Sequence, residues 1–252
     1  MSDASTSESP TVVLVHGAFA DASSWNGVIE RLEAEGIEVT APPNPLRGIS
    51  IDSAYVASVF EQTPGPILAV GHSYGGAVIT NAATDAKNVV GLVYVAAFAP
   101  DEGELLGEIE AGSKDSVLNP ALVSRNYPSP GGGKPIMEFA IDPPKVREAF
   151  AADLSDEQVA LIGATQRPIS ELAFSEPNGP PAWKHLPSWA VVATGDKAAG
   201  ADVVRSEAQR AGATITEIDG SHVIMISQPQ AVTEVILNAV AAVGSVPAGM
   251  AG

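Results

Sequence analysis

The stretch that most constrains the fold is GHSYGG at residues 71–76, which lies between an apolar run at 67–70 and a helix-like run at 77–83. A strand, a G-x-S-x-G turn and a helix in this order form a turn so tight that its central residue takes strained backbone angles. The side chain of that residue, Ser73, is then lifted clear of the sheet. We expect glycine at 71 and 75 for a steric reason, because a Cβ at either position would collide with the chain as it folds back. The pattern makes Ser73 a candidate nucleophile.

Apolar runs of strand length recur along the chain and alternate with segments of helical periodicity. The strand-like runs lie at 11–15, 37–40, 67–70, 89–96, 189–194 and 213–218. Further helical spacing of apolar residues lies at 25–35, 51–60, 203–211 and 228–243. Alternating strands and helices build βαβ units, whose parallel strands carry ligand sites at their carboxyl ends. The pattern predicts an α/β fold with a mostly parallel, doubly wound sheet and helices on both faces.

The domain organisation follows from the place where this alternation stops. From about 101 to 187, proline and glycine are scattered, and helical pieces such as 146–152 and 156–165 are separated by loops. We therefore expect an α/β core at 11–100 and 188–243, interrupted at 101–187 by a helical cap insertion without strands that covers the site. A helical subdomain with no role at the site is the alternative. Residues 1–10 and 244–252 are expected to form a disordered tail and a flexible end.

The composition limits the partners of the protein. Its 252 residues include 30 Asp and Glu against 13 Lys and Arg, a formal net charge of −17. Such a field repels nucleic acid and anionic membranes and favours a small neutral substrate. Cysteine is absent, which excludes disulfides and thiolate catalysis. Residues 1–10 lack the pattern of a signal peptide, and no apolar run approaches the ~20 residues that span a bilayer, so we expect a cytoplasmic protein. The oligomeric state is left open, with a homodimer among the options.

A serine hydroxyl needs a base that takes its proton as it attacks. His222 is the candidate base, because it lies in a loop between the last predicted strand and the closing helix. His16 and His72 are expected to have structural roles, and His185 a surface or hinge role. A histidine base has to be unprotonated, so activity is expected to fall in acid.

A carboxylate behind the imidazole would hold one tautomer and stabilise the cationic ring. Asp196 is the leading candidate, since it ends a strand and lies between Ser73 and His222 in the order Ser, Asp, His. Asp202 and Asp101 are the alternatives.

The tetrahedral intermediate of acyl transfer carries a negative oxygen that backbone N–H groups can stabilise. We expect one donor at Tyr74 and the other in the loop after the first strand, at Ala18, with Phe19 as the alternative. No metal ion or other cofactor has a role in this scheme. The substrate pocket is expected to be lined by side chains of this loop, the turn and the cap: Phe19, Tyr74, Met137, Phe139, Phe150 and Trp183.

Four motifs together resemble the α/β-hydrolase superfamily: HGA at 16–18, GHSYGG at 71–76, TGDK at 194–197 and GSH at 220–222. The chain looks most like the branch that contains plant methyl-ester esterases, hydroxynitrile lyases and many bacterial relatives. The resemblance extends from 11 to 243 and is weakest in the cap. It implies Ser73, Asp196 and His222 as a catalytic triad, with Ala18 and Tyr74 as oxyanion donors. The chain departs from its relatives at 198–200, where Ala-Ala-Gly stands in place of their usual Ile-Pro.

The resemblance also separates two chemistries that share this scaffold. In the lyases a lysine follows the catalytic histidine and a threonine replaces the glycine of the oxyanion loop, whereas this chain has Val223 and Gly17. We therefore expect a serine hydrolase that cleaves a small neutral carboxylic ester through an acyl-enzyme. A lyase or another non-hydrolytic use of the triad, and a slow-turnover ligand-binding protein, are the alternatives.

Overall fold

The structure, a computed structural model, describes residues 9–244. Within this range a six-stranded parallel sheet has the strand order β2-β1-β3-β4-β8-β9, and a three-stranded antiparallel sheet has the order β5-β6-β7. The strands are β1 (Thr11–Val15), β2 (Val39–Thr40), β3 (Ile67–His72), β4 (Val89–Val95), β5 (Leu122–Tyr127), β6 (Ile136–Ile141), β7 (Ile169–Ser170), β8 (Ser188–Ala193) and β9 (Thr214–Ile218).

The helices connect the strands of the large sheet and fill much of the insertion between β4 and β8. They are α1 (Asn26–Ala34), α2 (Ile49–Gln62), α3 (Tyr74–Ala82), α4 (Leu106–Ala111), α5 (Val146–Ala149), α6 (Asp156–Thr165), α7 (Leu172–Ser175), α8 (Ala201–Arg210), α9 (Ile224–Ser227) and α10 (Pro229–Gly244). Single turns of 3₁₀ helix lie at Ala22–Trp25, Asn119–Ala121, Pro143–Lys145 and Ala182–Lys184.

The continuous apolar runs of the sequence become the centre of the large sheet. Every residue of β1 and β3 is buried, as expected for strands covered on both faces. The helices pack on the sheet in pairs, α1 against α10 and α2 against α3. The predicted α/β fold is confirmed. The predicted strand at 37–40 is shorter than expected, because pairing with β1 covers only the last two of its residues.

The insertion at 101–187 contains the predicted helical pieces, but the expectation that it lacks strands is wrong. Its β5 and β6 form an antiparallel hairpin around the proline- and glycine-rich loop 128–135, and β7 adds a third strand. Most of β5 is exposed and polar. A strand held by backbone pairing, with little apolar burial, leaves no apolar alternation in the sequence.

The insertion is joined to the core by backbone and side-chain contacts. Ser170 N–H donates to the Leu46 carbonyl at 3.0 Å, and Phe19 N–H donates to the Arg167 carbonyl at 3.1 Å. The guanidinium of Arg47 pairs with Glu138 of β6 at 2.9 Å. The insertion, here called the cap, therefore contacts the loops that follow β1 and β2.

The predicted terminal tails fall almost wholly outside the described residues. The structure describes only residues 9 and 10 of the N-terminal segment. Of the C-terminal segment it describes only Gly244, the last residue of α10. Between residues 9 and 244 we find no helix with the length and apolarity needed to cross a membrane. The same part of the chain holds no group of three or more His, Asp or Glu side chains arranged to bind a metal ion.

Candidate active site

The sharp turn at Ser73 joins the end of β3 to the start of α3. Ser73 has φ 53° and ψ −123°, a conformation that non-glycine residues rarely adopt. A Cβ at Gly71 would lie 2.5 Å from the carbonyl oxygen of Gly75, and a Cβ at Gly75 would overlap the carbonyl oxygen of Val15 in β1. The predicted collisions are confirmed, although at position 75 the obstacle is the neighbouring strand.

Two residues from distant loops form a buried pair beside this turn. His222 Nδ1 and Asp196 Oδ2 are 2.8 Å apart, and both side chains are almost fully buried. The carboxylate accepts, so Nδ1 carries the hydrogen and Nε2 keeps its lone pair. The other carboxylate oxygen accepts the N–H groups of Ala198 at 2.9 Å and Ala199 at 3.1 Å. This arrangement fixes the imidazole in the tautomer that a general base needs.

The alternative acids make other contacts. Asp202 accepts hydrogen bonds from the Ser113 hydroxyl at 2.6 Å and the Lys114 N–H at 2.8 Å. Asp101 pairs with Lys184 at the surface of the cap. The structure therefore brings Asp196 to His222 and holds the other two carboxylates elsewhere.

Ser73 and His222 line one cavity at the carboxyl edge of the sheet. No hydrogen bond joins the Ser73 hydroxyl to the imidazole in the part of the chain that the structure describes. Catalytic hydrogen bonds are commonly loose in the absence of substrate and tighten in the complex.

His16 is buried and holds the loop after β1 in shape. Its Nε2 accepts the N–H of Asn44 at 2.9 Å, so the hydrogen lies on Nδ1, which donates to the Gly17 carbonyl at 2.9 Å. Because Nε2 accepts a hydrogen bond, the ring has to be neutral. Burial lowers the pKa of His16 to about 4, which keeps it neutral.

His72 has the expected structural role, through a contact that the sequence did not reveal. Its Nε2 donates to the carbonyl oxygen of His222 at 3.0 Å, and the two ring centroids are 4.7 Å apart. Burial, followed by the nearby His222, holds the pKa of His72 well below its usual range. The neutral ring supports the backbone of the candidate base. No sequence pattern signals such a contact between residues 150 positions apart.

His185 is exposed and lies on the surface of the cap, as expected.

The two candidate oxyanion donors are Ala18 and Tyr74. The N–H groups of Ala18 and Tyr74 have no hydrogen-bond partner within residues 9–244, and both residues line the cavity. The alternative donor, Phe19 N–H, is already engaged by Arg167. The Tyr74 hydroxyl donates to the buried Asp52 at 2.7 Å, which anchors the first turn of α3.

Gly17 lies against Ser73. A Cβ at this position would be 2.7 Å from the Cβ of Ser73 and 2.8 Å from the carbonyl oxygen of His72. Contacts this short force the neighbouring atoms to shift. A threonine here would therefore displace the turn that carries Ser73.

The catalytic cavity, defined as the space lined by Ser73 and His222, has a volume of about 20 Å³. Room for about one water molecule remains. Its walls include three predicted aromatic residues, Phe19, Tyr74 and Phe150. Further lining residues were missed by sequence reasoning: Phe98, Leu106, Glu110, Leu118 and Phe174. Glu110 is 6% exposed and accepts hydrogen bonds from Ser116 and Asn119.

Three of the predicted lining residues lie elsewhere. The indole N–H of Trp183 donates to the Pro100 carbonyl at 3.1 Å, and the ring packs beside Arg210 at the surface. Met137 is 38% exposed on β6. Phe139 packs edge-on against Phe174 and forms a layer behind the wall. The structure does not bring these side chains to Ser73.

Comparison with known proteins agrees with this architecture. The chain is 25% identical over 256 residues to the alpha/beta hydrolase nvfD of Aspergillus novofumigatus, covering 91% of this chain and 96% of that one. Among solved structures, polyneuridine aldehyde esterase is similar at a TM-score of 0.77 and 23% identity, covering 92% and 99% of the two chains. The methylesterase MES16 from Arabidopsis is similar at a TM-score of 0.74 and 20% identity, covering 92% and 99%.

The chain also matches the model of a protein family. The model described as the alpha/beta hydrolase family matches residues 12–235. This range includes the sharp turn, the buried His–Asp pair and all residues of the two sheets except Thr11. The resemblance found in the sequence motifs is confirmed, and the chain belongs to the alpha/beta hydrolase family.

Proposed function

We propose that this protein is a serine hydrolase that cleaves a small neutral carboxylic ester through an acyl-enzyme. The observation that carries the proposal is the convergence of Ser73 and the His222–Asp196 pair on one cavity. The strained Ser73 backbone supports it, because strain of this kind marks functional residues. The similarity to polyneuridine aldehyde esterase and to the methylesterase MES16 supports the same reaction class.

In the proposed acylation step, Ser73 Oγ attacks the ester carbonyl carbon while its proton passes to His222 Nε2. The carbonyl electrons move to the oxygen, and the N–H groups of Ala18 and Tyr74 donate to that oxyanion. Collapse of the intermediate breaks the bond to the alcohol oxygen, which receives the proton from His222. A water molecule, activated by the same imidazole, then releases the acid and restores the serine.

The electrostatics of the site favour an uncharged substrate. The whole chain carries a formal charge of −17, and the cavity wall contains the buried carboxyl of Glu110 among apolar side chains. A substrate with a carboxylate would be repelled by the net negative charge of the chain. The acid released by hydrolysis is an anion, so the same repulsion favours its departure.

The competing lyase chemistry lacks support at two positions. Val223 follows the candidate base where a cation would be needed to receive cyanide, and Gly17 has no room for a larger residue. Cyanide release from cyanohydrins, in the absence of ester cleavage, would favour the lyase.

The test is hydrolysis of p-nitrophenyl acetate and butyrate by the wild type and the Ser73→Ala variant. We expect the substitution to lower kcat/KM by roughly 10⁴-fold or more, because the nucleophile is removed. Ser206→Ala, at an exposed position of α8, is the matched control and should retain wild-type activity. A fluorophosphonate should label the wild type at Ser73. Equal hydrolysis by wild type and Ser73→Ala would overturn the proposal.

A further inference from the structure

Two neighbouring spaces share an aromatic wall. Beside the catalytic cavity lies a larger pocket, here called the outer pocket, of about 180 Å³. Phe19 and Phe150 line both spaces. Their rings meet edge to face, with centroids 6.1 Å apart and an interplanar angle of 84°. This ring pair separates the reacting atoms from the larger space.

The outer pocket lies on the side of the base. The Phe150 ring centroid is 5.1 Å from that of His222, and Val223, which follows the base in the chain, lines the outer pocket. In acyl transfer by a triad the imidazole gives its proton to the leaving oxygen, which therefore has to lie beside it. A group attached to the leaving oxygen points towards the outer pocket.

We propose, on the basis of the proposed ester hydrolysis, that the outer pocket binds the alcohol part of the substrate and that Phe150 limits its size. The acyl part then lies in the catalytic cavity, whose volume of about 20 Å³ admits only a small group. The substrate class is an ester of a small acid with an uncharged alcohol larger than methanol.

The lining of the outer pocket defines the chemistry of that alcohol. Its inner part is apolar and is formed by Phe19, Phe150, Ile162, Val223, Met225 and Ile226. Its outer part contains Asp21, Ser23 and Thr165. Partial burial opposes ionisation of Asp21, but hydrogen bonds from the Ser23 hydroxyl and N–H lower the pKa of Asp21 overall. The carboxylate accepts hydrogen bonds and repels anions, so an alcohol that is apolar near the ester and uncharged at its far end fits this pocket.

Of the two phenylalanines, Phe150 is the one that can be substituted without altering the oxyanion loop. Phe19 has φ 60°, and its N–H is tied to Arg167, so its backbone belongs to the oxyanion loop. Phe150 follows the short helix α5 in the cap. Phe174 is the matched control, because it lines the catalytic cavity and is not part of the outer pocket.

The test compares hexyl acetate with methyl acetate, which share one acyl group, by pH-stat titration. We expect Phe150→Ala to raise the ratio of the two kcat/KM values about tenfold, since removing the ring joins the two spaces. Phe174→Ala should leave the ratio near the wild-type value. If the substitution disturbs the nearby His222, both kcat/KM values change together, and this effect cancels in their ratio. A gain on p-nitrophenyl hexanoate over p-nitrophenyl acetate, with no gain on hexyl acetate, would overturn the assignment to the alcohol.

A variant that fills the outer pocket provides an independent test and leaves the Phe150 ring in place. Thr165→Trp puts a large ring into the outer pocket and should lower kcat/KM for hexyl acetate about tenfold relative to methyl acetate. Leu161→Trp, at a 58% exposed position of the same helix outside the pocket, should not. If methyl acetate is hydrolysed and neither Phe150→Ala nor Thr165→Trp changes the ratio, the inference fails while the proposed function stands. If no ester is hydrolysed by the wild type, the proposed function itself fails.

Discussion

The two carboxylate oxygens of Asp196 accept hydrogen bonds from different groups. One accepts the Nδ1–H of His222, and the other accepts the N–H groups of Ala198 and Ala199. The Ala-Ala-Gly sequence at 198–200 therefore supplies two donors that hold the carboxylate in place. Gly200 has φ 91°, and a Cβ there would overlap the Ser113 hydroxyl, so the third residue of this loop is constrained as well.

The carboxylate can be tested by Asp196→Asn, which keeps the size and removes the charge. An amide nitrogen facing Nδ1 favours the wrong imidazole tautomer, so we expect kcat for p-nitrophenyl acetate to fall by about 10⁴-fold. Asp202→Asn is the control and should retain most of the activity, because Asp202 contacts Ser113 and Lys114. Circular dichroism should show that both variants fold. A comparable loss in Asp202→Asn would contradict the assignment of Asp196.

Residues with a local signature could be predicted from the sequence, and residues placed by packing could not. Ser73 and its glycines follow from the steric demands of one turn, and His222 from its position after the last strand. Trp183 and Met137 were expected at the pocket, but the direction of a cap side chain depends on contacts distant in the chain. For Trp183 the decisive contact is its N–H bond to Pro100.

At the level of elements, the cap and the core meet through a buried acidic residue. Glu138 of β6 is 7% exposed and pairs with Arg47 of the core at 2.9 Å and with Arg125 of β5 at 3.1 Å. Arg47 also lies over the ring of Tyr127, 4.5 Å from its centroid. One carboxylate thus joins the core loop to two strands of the cap. The strands themselves were missed in the sequence because the exposed residues of β5 carry no apolar period.

This junction predicts the behaviour of Glu138→Gln. Both arginines are partly exposed, at 34% and 59% of their side chains, so solvent screening keeps the expected cost to roughly 1–2 kcal/mol in the free energy of unfolding. We also expect faster trypsin cleavage within the cap, because the local contacts weaken. Glu61→Gln, at an exposed position of α2, should change neither measurement. Unaltered cap proteolysis in Glu138→Gln would show that the backbone bond between Ser170 and Leu46 suffices to hold the cap.

On the scale of the whole molecule, buried titratable groups act on stability in opposite directions. His16 has a pKa lowered to about 4 by burial, and that of His72 is also lowered, so both groups destabilise the fold as the pH falls below the ordinary value of 6.5. Burial raises the pKa of Glu207 from 4.5 to about 7. A group whose folded pKa is raised stabilises most at low pH, and that contribution is lost as the pH rises through its folded value.

Glu207→Gln separates these opposing contributions. Glu207 lies on α8, where it accepts the Ala99 N–H and pairs with Arg210, each at 3.1 Å. Between pH 5 and pH 8 the wild type has to ionise this buried carboxyl and the variant does not, so the stability of the wild type relative to the variant should fall by roughly 2–3 kcal/mol. Urea denaturation at the two pH values measures the change, and the histidines cancel because both proteins contain them. A difference that is constant between pH 5 and pH 8 would mean that Arg210 keeps Glu207 ionised throughout, and that the loss of stability in acid comes from the histidines unopposed.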